Sequence, residues 1–281
     1  MKIFSTAALL VALLTTLSNS YAQKVELTSF MKNGLAVHAV INGKAGNFMF
    51  DTGGGISFIT PEFADRIGCH PWGQITGYRM TGERLDMQRC DKISVQVDQI
   101  QANVDTIGII DLKKFMPPGT DIDGSLALDL FDDKVVSFSQ SQRTLTVSNT
   151  VPNSIKQCDS VPVHLVRAAE GLSLTVDLPV RTNAGLAWFE MDSGNLSPNT
   201  LVNKTIAGAL GLQLDSEEQQ NLGMTLADGK IITSKATVLD LILDGNLGTS
   251  FLSKYDVTVD LHNKRAWIIP LSHACGVKST Q

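Results

Sequence analysis

The chain has 281 residues, 43% of them hydrophobic and 18% charged, with a formal net charge of −5. That length allows one large domain or two lobes, and the composition is that of a globular protein. The acidic balance and the lack of a basic run argue against a nucleic-acid partner.

In chain order, residues 1–22 read as a signal peptide. Lys2 gives a positive start, Ala7 to Leu14 an apolar core too short to span a membrane, and Ser20-Tyr21-Ala22 a small-x-small cleavage site. The processed chain is expected to begin at Gln23, to be periplasmic or secreted, and to carry no membrane span. Its four cysteines, Cys69, Cys90, Cys158 and Cys275, would then meet an oxidising compartment, and none forms a C-x-x-C pair that would suggest zinc. Two disulfides allow three connectivities. Cys69–Cys90 with Cys158–Cys275 is the expected set, and one bridge with two buried thiols is the alternative.

From Val25 the pattern is strand-like. Gly34 to Ile41 alternates, Asn42-Gly43 is a hairpin turn, and the chain returns through Asn47-Phe48-Met49-Phe50 to Asp51-Thr52-Gly53-Gly54-Gly55. A buried strand thus ends in a tight turn that carries a carboxylate, where glycines permit close backbone approach. Thr60-Pro61 starts a short helix that Gly68 ends. Residues 72–115 read as β, with a polar hairpin punctuated by Gly73, Gly77 and Gly82 around Tyr78, and a half-buried strand at Ile93 to Val97. After the Pro117-Pro118-Gly119 loop come Gly124 to Phe131 and a strand pair through Val135-Val136 and Thr144 to Val147.

Residues 148–159 read as a linker, and the order then repeats. Strands are expected over Leu172 to Val180 and Leu186 to Met191, followed by Asp192-Ser193-Gly194, a helix over Val202 to Leu212, a hairpin at Asp228-Gly229 and a strand over Thr237 to Leu243. Gly124-Ser125-Leu126-Ala127 aligns with Gly245-Asn246-Leu247-Gly248, and Val135 to Phe138 with Val257 to Asp260. This is an internal duplication. The first copy is longer, with 73 residues from Asp51 to Gly124 against 53 from Asp192 to Gly245.

With both Asp motifs at the same place in two copies, the chain resembles the pepsin/retropepsin aspartic peptidases, most of all the exported, bacterial retropepsin-like group. The resemblance covers roughly residues 30–150 and 160–270. It implies an all-β fold with short helices, in which two retropepsin-like lobes (23–150 and 151–281) are related by a pseudo-twofold axis. It implies an endopeptidase whose catalytic dyad is Asp51 and Asp192. Thr52 and Ser193 would bond across the centre, Gly53 and Gly194 would hold backbone N–H groups against the carboxylates, and Tyr78 would sit on a flap. Peptide or protein would be the substrate, the chain a monomer, and neither metal nor cofactor is called for. Like charges this close share one proton, so one aspartate can activate water while the other is an acid.

The chain departs from the family at Gly54, Asn195 and Ala127, and Asn195 is expected to distort the second loop. Two other readings compete. Asp121-Ile122-Asp123-Gly124-Ser125 resembles the nucleophile loop of haloacid-dehalogenase-type phosphatases, but it follows a proline loop and no β-α alternation surrounds it. The stronger rival is an impaired peptidase fold serving as a peptide-binding module of the cell envelope.

Overall fold

The computed structural model describes residues 22–214 and 218–272. The leader expected over 1–22 falls almost wholly outside them, as does Cys275. The described chain is mostly strand, and its longest helix has six residues. It has the bilobal, all-β form that the duplication implies.

Each copy builds a mixed sheet around its Asp turn. In the first, the order is Thr28–Phe30, Gly34–Ile41, Lys44–Phe50, Gly124–Leu126, Phe58–Ile59, Ile100–Ile109, Arg84–Val97 and Trp72–Tyr78. In the second it is His164–Val166, Thr175–Thr182, Gly185–Met191, Gly245–Leu247, Thr200–Asn203, Ile231–Leu239 and Gln220–Leu226. The registers match residue for residue. Phe48, Met49 and Phe50 run parallel to Gly124, Ser125 and Leu126, and Phe189, Glu190 and Met191 run parallel to Gly245, Asn246 and Leu247.

A third sheet joins the copies. Val135–Ser139 pairs antiparallel with Tyr255–Asp260, and the outer strands Thr144–Ser148 and Arg265–Pro270 extend it on either side. Val136 and Phe138 on one strand and Val257 and Val259 on the other are all buried. This seam therefore belongs to one continuous apolar core, which holds the two Asp turns at a fixed separation.

The local elements follow from their residues. Asn42 and Gly43 both take positive φ, as the two-residue hairpin requires. Thr60 caps the helix Pro61–Arg66 by accepting from the Phe63 N–H, and Asn203 caps Lys204–Ala207 by accepting from the Thr205 N–H. Phe63 and Ala64 are the buried face of the first helix. Cys69 and Cys90 form a disulfide that ties the end of this helix to the long strand Arg84–Val97. Cys158 is not free either, while its expected partner Cys275 lies outside the described residues.

Three boundaries differ from expectation. The strand placed over Leu172 to Val180 begins at Thr175, after a single turn at Ala169–Gly171 in which Ala169 and Glu170 take positive φ. The second helix shrinks to Lys204–Ala207 because Thr200–Asn203 pairs with Ile231–Leu239 as a strand. The strand read over Thr237 to Leu243 ends at Leu239, since Leu241 and Leu243 spend their carbonyls on the Asn203 amide instead of a sheet.

Candidate active site

Two strand ends meet at the centre of the molecule. The Asp51 N–H donates to the Leu126 carbonyl and the Asp192 N–H to the Leu247 carbonyl, at 3.0 and 3.1 Å, so each turn leaves its sheet by the same bond. Two acids support these turns from behind. Asp123 accepts from the Asn47 N–H and its carbonyl accepts from Thr60, while Asp244 accepts from the Trp188 N–H and its carbonyl from Asn203. Asp123 also pairs with Arg66 at 3.0 Å. It is therefore occupied structurally, which argues against the phosphatase-like reading of residues 121–125.

The two turns interlock. The Thr52 N–H donates to Ser193 Oγ at 3.0 Å and the Ser193 N–H to Thr52 Oγ1 at 2.9 Å. Each hydroxyl then donates onward to the opposite strand, Thr52 Oγ1 to the Met191 carbonyl at 2.9 Å and Ser193 Oγ to the Phe50 carbonyl at 3.0 Å. Both side chains are buried, and all four bonds cross between the copies. Both N–H groups are bonded and both hydroxyls donate and accept, so the crossing is rigid.

Above it, Gly53 donates its N–H to Asp51 Oδ1 at 3.0 Å, and Gly194 donates to Asp192 Oδ1 at 2.8 Å. The carboxyl groups of Asp51 and Asp192 face each other closely enough that the charge of one bears on the proton of the other. A Cβ on Gly53 would lie 2.4 Å from the Asp192 carboxyl carbon, and one on Gly194 equally close to that of Asp51. Only glycine allows each turn to press against the other copy's carboxyl group. Burial, then the negative charge of Asp192, pushes the Asp51 carboxyl well above the usual range, against the pull of the Gly53 and Gly194 N–H groups.

Asn195 does not distort its turn. Its N–H joins that of Gly194 on Asp192 Oδ1 at 3.0 Å, and its Oδ1 accepts from the Ser197 N–H. A Cβ on Gly248 would lie 2.5 Å from the Asn195 carbonyl oxygen and 2.7 Å from its Nδ2, so backbone and side chain of Asn195 together require glycine there, whereas the first copy, with Gly54 in its turn, carries Ala127.

Two residues went unnoticed in the sequence. Asn246 is fully buried, and its Nδ2 donates to Asp192 Oδ2 at 2.7 Å and to Glu190 Oε2 at 3.1 Å. Burial, then the charge of Asp192, raises the Glu190 carboxyl well above its usual range. A Glu inside the apolar run Leu186 to Met191 was the available signal, because the aligned residue of the first copy is Met49.

Tyr78 stands apart from this cluster. It is 60% exposed, opposite Arg84 in its hairpin, and no hydrogen bond links it to either aspartate among the described residues. The hairpin itself does reach the second copy. At its tip the Met80 carbonyl accepts from the Ile242 N–H at 2.9 Å, and at its base Arg89 stacks on Trp72 and pairs with Glu170 at 3.1 Å. Among the described residues no group of three or more His, Cys, Asp or Glu could hold a metal ion, and no helix is long and apolar enough to cross a membrane.

Residues 37–130, about a third of the chain, match a protein family described as aspartyl protease. Among solved structures, basic 7S globulin from soybean is similar in fold, with a TM-score of 0.54 at 10% identity, over 92% of this chain and 97% of that one. No curated protein sequence matches the chain significantly. The first copy is thus similar in sequence to aspartyl proteases, and the chain as a whole shares the fold of basic 7S globulin.

Proposed function

We propose that the protein is an aspartic endopeptidase that completes its site within one chain. The crossed bonds of Thr52 and Ser193 are the observation that carries this reading. They hold the carboxyl groups of Asp51 and Asp192 close together, and two carboxyls so placed share one proton. The ionised carboxylate takes a proton from a water molecule that attacks the peptide carbonyl. The protonated one donates to the carbonyl oxygen, and the proton taken from water passes to the leaving amine as the tetrahedral intermediate breaks. Atoms balance as the addition of one water across one peptide bond.

The substrate is an extended peptide, and the hairpin tipped by Met80 is the segment that covers it. Residues 23–150 and 151–281 act as the two lobes of a monomer, exported after removal of residues 1–22. The Cys69–Cys90 disulfide supports an oxidising destination, in the periplasm or outside the cell. A peptide-binding module without cleavage is the second reading. The Met80–Ile242 bond favours it, since a tip tied to the second copy hinders entry of a long chain.

Incubation of the processed chain with a mixed peptide library from acid to neutral pH separates the two. New amino termini, absent with Asp51→Asn, establish the peptidase. Retention of peptides with no new termini at any pH establishes the binding module.

A further inference from the structure

The two copies are alike at the crossing and unlike one layer behind it. The residue two before each aspartate faces a partner on the parallel strand. In the first copy the pair is Met49 and Ser125, and Ser125 Oγ spends its proton on the Met49 carbonyl at 3.4 Å. In the second copy the pair is Glu190 and Asn246. Asn246 Oδ1 accepts from Asn195 Nδ2 at 2.6 Å, which fixes the amide so that both Nδ2 protons point at carboxyl groups, one on Asp192 and one on Glu190. Asp192 thus collects three donors, the N–H groups of Gly194 and Asn195 on Oδ1 and Asn246 on Oδ2. Asp51 Oδ1 accepts the Gly53 N–H, no side-chain amide donates to it among the described residues, and the corresponding position in its turn, Gly54, has no side chain at all.

We propose that Asn246, oriented by Asn195 and Glu190, is a positioning residue that breaks the symmetry of the pair, holding Asp192 as the anion and general base and leaving the shared proton on Asp51. This rests on the peptidase reading for its consequence in catalysis, but not for the asymmetry itself. Three donors with no competing acceptor suit a carboxylate and not a carboxylic acid. The charged groups that face Glu190 are Asp192 just beyond its own strand, Asp177 on the neighbouring strand and Asp51 from the first copy, all acids. Beyond Asp177 lie Asp244 and, across the next strand pair, His164. Burial and these acids push the Glu190 carboxyl well above its usual range, which favours the neutral form that accepts from Asn246 without adding charge.

The test follows the titration of carboxyl-labelled aspartates by carbon NMR in the processed chain. Asp51→Asn assigns the signals, and kcat/KM is measured against pH in parallel. Wild type should show the aspartate pair losing its two protons in well-separated steps, with the last proton on Asp51. Asn246→Ser, which installs the first copy's residue, removes one charge-assisted bond. It should narrow the gap by about one pH unit, with the acid limb of kcat/KM moving up to match and KM little changed. Glu190→Gln keeps an acceptor for Asn246 and should leave the first step in place. The second step should fall to lower pH, because an ionised Glu190 no longer opposes loss of the last proton.

Should Asn246→Ser fold poorly, Glu190→Met combined with Asn246→Ser reproduces a pair that the first copy already packs, and it must narrow the gap likewise. An unchanged gap in the variants overturns the proposal, and so does a wild type in which Asp51 ionises first. Failure of the peptidase reading would look different. The wild type would cleave nothing at any pH, while the two steps remained separate and sensitive to Asn246.

Discussion

At the scale of single residues, the centre is a set of mutual constraints. Thr52 and Ser193 each donate and accept across the junction, so Thr52→Val leaves the buried Ser193 N–H without its partner. We expect a loss of roughly 1–3 kcal/mol in urea unfolding, together with a weakened crossing. Gly248 and Asn195 form a second coupled pair. Gly248→Ala collides with both the carbonyl oxygen and the side chain of Asn195 and should destabilise, while adding Asn195→Gly removes only the side-chain part of the clash and should recover part of the loss in a double-mutant cycle. Additive losses would show that the two do not act through one contact. The two Asp-hydroxyl-Gly turns were legible in the sequence because their chemistry lies in consecutive residues. Glu190 and Asn246 were not. They are 56 residues apart, and only the parallel pairing of their strands brings them together.

At the scale of elements, short caps and turns were readable because Thr60-Pro61, Asn42-Gly43 and Gly68 carry their own geometry. Loops held by distant partners were not. The segment after Leu239 looks like strand by composition, yet it turns away because the buried amide of Asn203 claims its carbonyls. The hairpin tipped by Met80 is another case. Its two strands were visible as a polar hairpin, but its anchorage on Ile242 depends on a loop 162 residues further on. Because that single backbone bond holds the tip, Ile242→Pro, which removes the donor, should speed hydrogen exchange of the amides around residues 79–83 with little change in global stability. Equal exchange in both proteins would mean that side-chain packing, such as Gly82 against Ile242, holds the tip instead.

At the scale of the whole molecule, the shared sheet and the buried acids set how stability responds to conditions. Burial lifts Asp129, which accepts from the Ser57 N–H and Oγ, to about 6, and burial with the charge of Asp244 lifts Asp177 to about 6. In the unfolded chain an Asp titrates near 3.9. Between these values the folded state binds more protons than the unfolded state, so stability falls as pH rises. The protein should be most stable below about pH 4 to 5 with respect to these two groups, and should lose stability through pH 6. Asp177→Asn should flatten that decline by on the order of 2 kcal/mol, read from urea unfolding at pH 4.5 and 7.5. A decline of equal size in the variant would move the effect to other groups. Reduction of Cys69–Cys90, which closes a 21-residue separation, should cost about 3 kcal/mol. The fold as a whole was readable because the duplication repeats Gly-x-Leu and the closing strand pair. The shared sheet was implied only through the resemblance, since nothing local says that Val135–Ser139 pairs with Tyr255–Asp260.

The proposed peptidase needs one chain to supply both halves of a single catalytic pair. Its most direct test is peptide cleavage by Asp51→Asn, by Asp192→Asn and by an equimolar mixture of the two, each checked for native folding. A pair completed within the chain predicts that each variant is inactive and that the mixture stays inactive. Cleavage by Asp192→Asn alone, or activity restored on mixing, would contradict it, because either result requires a working site assembled between chains or from one aspartate.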